Sequence, residues 1–119
     1  MTDSRNQAVL DLERLVAAVD ELQGGLKAAK AHYQKALRSL RRGDPVQSAL
    51  AVGASASTRE TTTAMLEQFE RERLASRMSL IAAGVDEGMS INTVSKAWGI
   101  SRQLASRYVN RVRPGEETG

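Results

Sequence analysis

The sequence predicts an all-α fold, a long N-terminal coiled-coil or bundle helix followed by a C-terminal unit of three helices. Three observations carry this. Apolar residues recur three and four apart from Ala8 to Leu40, the spacing of one helix face. Glycine, proline and serine punctuate the chain at Gly43-Asp44-Pro45, Gly88-Met89-Ser90 and Gly99-Ile100-Ser101, where helices would stop and restart. No segment alternates polar and apolar residues as a half-buried strand would.

The first helix should begin at a cap supplied by Asp3 or Ser4 and keep one heptad seam: Ala8, Leu12, Leu15, Val19, Leu22, Leu26, Ala29, Tyr33, Ala36 and Leu40. Gly24-Gly25 falls off this seam without breaking its phase. One continuous helix is therefore expected, weakened by about 1 kcal/mol per glycine. Val9, Val16 and Leu37 widen the stripe, which suits a bundle better than a bare two-stranded coil. Leu12, Leu15, Val19, Leu22, Leu26 and Tyr33 are the expected dimerisation residues. A chain of 119 residues with only four Phe, Trp or Tyr side chains makes a thin core, so a homodimer or higher homo-oligomer is expected to add burial.

Arg38-Ser39-Leu40-Arg41-Arg42-Gly43 has the cations and glycine of a helix C-terminus. Asp44 as N-cap, Pro45 at the first helical position and Gln47 then open a short second helix, ending near Ala51 or Val52. Gly53-Ala54-Ser55-Ala56-Ser57 is small and polar enough for a linker. The third helix opens at Ser57 or Thr58, although Thr61-Thr62-Thr63 is poor helix sequence. Its apolar stripes, Met65-Leu66-Phe69 and then Leu74, Met78, Ile81 and Val85, are out of phase. One long helix using two faces accounts for them, with a kink at Glu70–Arg73 as the competing reading. Gly88 suits a left-handed C-cap, and Met89 the hydrophobic contact that follows it.

Ser90 caps a helix over Ile91–Trp98, Gly99 supplies a positive φ at a tight turn, and Ser101 caps a helix over Arg102–Val112. Val94, Trp98, Ile100, Leu104 and Tyr108 point inward, towards Ile81 and Val85. The segment from Ile81 to Tyr108, with its Gly99-Ile100-Ser101-Arg102 corner, resembles the helix-turn-helix of resolvase-type recombinases, transposases and many bacterial regulators. The resemblance covers about the last third of the chain and implies a three-helix DNA-binding domain. Two positions depart from the pattern: Trp98 stands where a smaller aliphatic residue is usual, and Ala105 where a β-branched one is frequent.

The outward face of the last helix carries Arg102, Gln103, Ser106, Arg107 and Asn110. Arg reads guanine and Gln reads adenine bidentately, so Arg102, Gln103, Ser106 and Arg107 are the candidates for base contact. Asn92, Thr93, Lys96, Ser101, Asn110, Arg111 and Arg113 are the candidates for phosphate. From Met89 to Arg113 there are five Lys or Arg and no acid, the footprint expected at a phosphate backbone.

Cysteine is absent, which excludes a disulfide framework and a thiolate metal site. No metal, cofactor or catalytic residue is expected, because one histidine and no paired acids leave no nucleophile–base set; the chain does not read as an enzyme. Residues 1–5 lack a basic segment followed by an apolar run, so no signal peptide is expected. The expected organisation is a dimerisation region over 1–57, a connecting helix with the helix-turn-helix over 58–113, and a disordered tail over 114–119. The function it implies is sequence-specific binding of double-stranded DNA by a homodimeric bacterial transcriptional regulator, cytoplasmic and nucleoid-associated. The alternatives are an architectural nucleoid protein, or an interaction adaptor in replication, partition or phage packaging.

Overall fold

The computed structural model describes residues 3–53 and 55–113. These form five helices and no strand: α1 (Asp3–Arg41), α2 (Val46–Gly53), α3 (Ala56–Asp86), α4 (Ile91–Trp98) and α5 (Arg102–Val112). The all-α fold with a long N-terminal helix is as expected. No helix among the described residues is long and apolar enough to cross a membrane. The chain forms two compact units, one of residues 3–15 with 72–113 and one of residues 16–71. The boundary expected between 57 and 58 falls inside the second unit. The tail expected over 114–119 lies outside the described residues.

In the second unit, α1 passes through Gly24-Gly25 without interruption. It stops at Gly43, whose φ of +89° only glycine adopts without strain. The Gly43 amide donates to the Leu40 carbonyl and the Asp44 amide to that of Ser39, at 2.9 and 3.1 Å. This closes the helix end in a Schellman pattern. Asp44 does not cap α2 as expected. Its carboxylate accepts from Ser39 Oγ and Arg42 at 2.8 and 2.9 Å, and the Pro45 carbonyl takes the first α2 amides. Of the linker expected over 53–57, Gly53 belongs to α2 and Ala56 and Ser57 to α3, which Ser55 Oγ caps by accepting from the Thr58 amide; Ala54 lies outside the described residues. The threonine run is helical, with Thr61 and Thr62 donating their hydroxyls to the carbonyls four residues back, each at 3.0 Å.

The packing face of α1 differs in phase from the expected single seam. In this unit Ala18, Ala29 and Ser39 are buried, and Leu22, Gly25 and Ala36 are half-buried. Leu26, Tyr33 and Leu40, placed on the seam by the sequence, are exposed. The reason is steric. A Cβ on Gly25 would sit 2.0 Å from Met65 Sδ of α3, so the two helices meet where α1 has no side chain. A Cβ on Gly53 would lie 2.0 Å from the His32 carbonyl oxygen and 2.5 Å from the Ala36 amide nitrogen, so α2 rests directly on the α1 backbone. Small residues set the closest approach, and the larger apolar ones are left on its flank.

In the first unit, the opening turns of α1 pack with the second half of α3. Ala8 is buried, and so is Asp11, whose carboxylate accepts from Ser79 Oγ and, at 3.1 Å, from Gln7 Nε2. Leu12, expected inside, is 38% exposed, because hydrogen bonds from Ser79 and Gln7 make the neighbouring carboxylate the buried group. The core of the unit is Ile81, Val94 and Ala105, surrounded by Val85, Met89, Ile91, Trp98, Ile100, Tyr108, Val109 and Val112. Leu74, expected on the packed stripe of α3, is 48% exposed.

The three α1 and α2 glycines should separate in a stability series read by thermal or urea unfolding. Gly24→Ala meets open space and should stabilise the protein by about 1 kcal/mol. Gly25→Ala must displace the flexible Met65 thioether and should lose most of that gain. Gly53→Ala collides with backbone and should destabilise by about 1–3 kcal/mol. Equal effects at all three sites would contradict this packing.

Candidate nucleic-acid interface

Local signals build the α3–α4–α5 corner with little dependence on distant residues. Gly88 has φ +100°, and the Met89 amide returns to the Gly84 carbonyl at 2.9 Å to end α3. Met89 then folds over Gly84, where a Cβ would lie 2.3 Å from its sulfur. Ser90 Oγ accepts from the Thr93 amide at 3.2 Å and caps α4. Gly99, with φ 63° and ψ 37°, ends α4, and the Ile100 amide donates to the Ser95 carbonyl at 3.1 Å. Ser95 Oγ donates to the Ile100 carbonyl at 2.5 Å, so one residue ties both polar groups of the corner. Ser101 Oγ accepts from the Leu104 amide at 3.1 Å and starts α5.

Val94 and Ala105 are fully buried where α4 and α5 cross. Ala105 is packed in one cluster with Ile81 and Val94, where its small side chain is wholly buried. Leu104, placed inward by the sequence, is half-buried. Trp98 is explained by a residue the sequence reading passed over. The Arg77 guanidinium of α3 lies 5.6 Å from the Trp98 ring centroid, in the range of a cation–π contact. Its Nη1 also donates to the Tyr108 hydroxyl at 3.5 Å. A wider ring at position 98 thus supplies the face on which Arg77 rests. No local pattern announces a contact between residues so far apart in sequence.

With this core buried, α5 presents Arg102, Gln103 and Arg107 to solvent, with Ser106 and Asn110 half-buried along the same face. Asn92, Thr93, Lys96, Ser101 and Arg111 are also exposed, though Thr93 Oγ1 lies 3.0 Å from Ser90 Oγ. Arg113 stands apart from this group. Its guanidinium donates to Asp86 Oδ1 at 2.7 Å, and Asp86 also accepts from Ser4 Oγ. Glu87 is paired too, with Arg5 Nη1 at 2.6 Å. The two acids just before the basic segment are therefore each held by a cation. The remaining exposed cations, Arg102, Arg107, Arg111 and Lys96, face solvent with no ion pair shown to them.

The expected dimerisation residues fall into two groups. Leu15, Val19 and Leu22 are half-buried, whereas Leu12, Leu26 and Tyr33 are exposed. Among the described residues no three His, Cys, Asp or Glu side chains gather as a metal site would require. What the α4–α5 face offers is donors: guanidinium, amide, hydroxyl and ammonium groups on a rigid corner. No protein-family model, curated protein or solved structure matches the chain.

The Ser4 hydroxyl, and after it the Arg113 guanidinium, hold the Asp86 carboxyl below the usual aspartate range. A carboxyl whose folded pKa is depressed adds stability above its unfolded pKa of about 3.9 and loses it as pH falls through the folded value. The melting temperature of the wild type should thus fall more steeply as pH drops below about 5 than that of Asp86→Asn. Parallel curves for the two proteins would mean the carboxylate adds nothing to folding.

Proposed function

We propose that the chain binds double-stranded DNA through the α4–α5 corner, reading sequence with α5. The observation that carries this is the solvent-facing set Arg102, Gln103 and Arg107 on a helix whose opposite side is locked by Ala105 against Val94. A helix held this firmly by one face can present the other to the major groove at low entropic cost. Arg102, Gln103, Ser106 and Arg107 are the base-reading residues of this proposal. Asn92, Thr93, Lys96, Ser101, Asn110 and Arg111 grip phosphates on either side, and Arg113 does so only by leaving Asp86.

The protein acts by binding rather than by catalysis, as a homodimeric bacterial transcriptional regulator. A two-fold dimer would set two α5 helices on half-sites about one helical turn apart. Such a protein works in the cytoplasm, on the nucleoid. An architectural DNA protein would use the same cations without the base-reading face, so measurement separates the two.

Selection of sites from random DNA with the purified chain should recover a symmetric sequence. Arg102→Ala and Gln103→Ala should each relax one position of that sequence, at a cost of about 1–3 kcal/mol of discrimination. Lys96→Ala should instead weaken all sequences alike and lower the salt slope of log K by about 1. Binding with no sequence preference would favour the architectural reading. No binding even at low salt would sink both, leaving the adaptor reading.

A further inference from the structure

The second unit carries an apolar stripe that its own helices leave uncovered at every apolar position but Val19, which is half-buried. On α1, Val16, Val19, Leu26, Tyr33, Leu37 and Leu40 follow three- and four-residue steps, with Gln23 and Lys30 at the two intervening positions. Val16 is 61% exposed, and Leu26, Tyr33, Leu37 and Leu40 are each more than 40% exposed. The stripe lies one flank over from Ala18, Gly25, Ala29 and Ser39, which face inward. Beside it a largely apolar groove of about 330 Å³ runs between α1 and α3; its lining includes Leu26, Ala29, Tyr33, Leu37 and Thr62, with Lys30 and Gln34 at its side. From Val16 to Leu40 the stripe is about 36 Å long at the α-helical rise. A helix-length apolar seam of this kind is what one helix presents to another.

The charges along α1 identify the occupant and its direction. Between Val16 and Gln23 the charged residues are Asp20 and Glu21, both acids. Between Leu26 and Arg41 they are Lys27, Lys30, Lys35, Arg38 and Arg41, all bases. Two copies side by side in parallel would bring Lys30 onto Lys30 within the seam and crowd five cations against five, a repulsive arrangement. Reversing one copy sets Lys35 opposite the partner's Glu21 and Arg38 within reach of the partner's Asp20, leaving only Lys27 and Lys30 of the two copies as neighbours, at the two-fold axis. It also keeps the seam in step, with Val16 opposite the partner's Leu40, Val19 opposite the partner's Leu37, and Gln23 opposite the partner's Tyr33. That last pair offers the amide a hydroxyl to hydrogen-bond, and Lys30 lies over the partner's Leu26, where its aliphatic stem packs and its ammonium reaches water.

We propose that the α1 stripe from Val16 to Leu40 is the seam of an antiparallel homodimer, in the register that sets Val16 against the partner's Leu40. This gives the dimer of the proposed function a surface, a direction and a register; it does not depend on DNA contact. The inward residues Leu15 and Leu22 take no part in it.

The chain has no cysteine, so single thiols can report the geometry. Val16→Cys and Leu40→Cys proteins are prepared separately, then mixed, and each sample is bridged with a short bismaleimide. The mixture should give a covalent dimer joining position 16 to position 40, while either protein alone stays uncrosslinked. Self-crosslinking of Val16→Cys or of Leu40→Cys would mean parallel pairing and overturn the proposal. So would absence of any crosslink, or sedimentation of the unmodified chain as a monomer, which would give the stripe to a different protein. As an independent check, Leu26→Glu with Leu37→Glu should convert the dimer to monomer without loss of helical circular dichroism. A dimer that survives both substitutions would place the interface elsewhere. All of these measurements are made without DNA, so their failure is distinct from failure of the DNA-binding reading.

Discussion

Helices in this chain touch through their smallest side chains, and much else follows from that. Six of the eight buried hydrophobic residues described are alanine, and Gly25 and Gly53 allow contacts that a methyl group would block. Small residues let backbones come close, but each buries little apolar surface, at roughly 25 cal/mol per Å². The gain per contact is modest, and the bulkier Leu, Val and Tyr side chains are pushed to the rim. The first unit is the partial exception. There Ile81 and Val94 build a more ordinary core, which is what a rigid α4–α5 corner needs.

The elements themselves were legible because they rest on local signals. Glycine at 43, 88 and 99 takes a positive φ where the sequence asks for helix ends, and Ser90 and Ser101 cap the helices they precede. The outward face of α5 was legible for the same reason, since an 11-residue helix with Ala105 inside has only one way to turn Arg102 and Arg107. The phase of α1 was less legible. Leucine marks hydrophobicity but not closest approach, so a pattern counted on large residues misses a face built from Ala18, Gly25, Ala29 and Ser39. Long-range pairs were invisible for a simpler reason. Nothing near Asp11 announces Ser79, and nothing near Arg5 announces Glu87.

Those long-range pairs also explain why residues 3–15 belong with 72–113 rather than with the rest of α1. Ser4 and Arg5 reach Asp86 and Glu87 at the end of α3, and Asp11 reaches Ser79 about two turns before it. Exposed pairs of this kind contribute little stability singly. Their effect is on charge: Asp86 and Glu87 sit at the border of the basic segment, and on the proposed DNA-binding reading they would, unpaired, repel a phosphate backbone approaching α4 and α5.

Cations in this unit therefore divide by neighbour rather than by type. Arg77 is spent on the Trp98 ring and the Tyr108 hydroxyl, and Arg113 on Asp86. A phosphate that took Arg113 would release the Asp86 carboxylate beside it, and the repulsion would offset much of the new contact. Arg102, Arg107 and Lys96 carry no such penalty, since the structure shows them no carboxylate to give up. On the DNA-binding reading, the free energy of contact then comes from the front of α5 and the side of α4. The C-terminal end of the unit serves chiefly to hold α3 and α5 together.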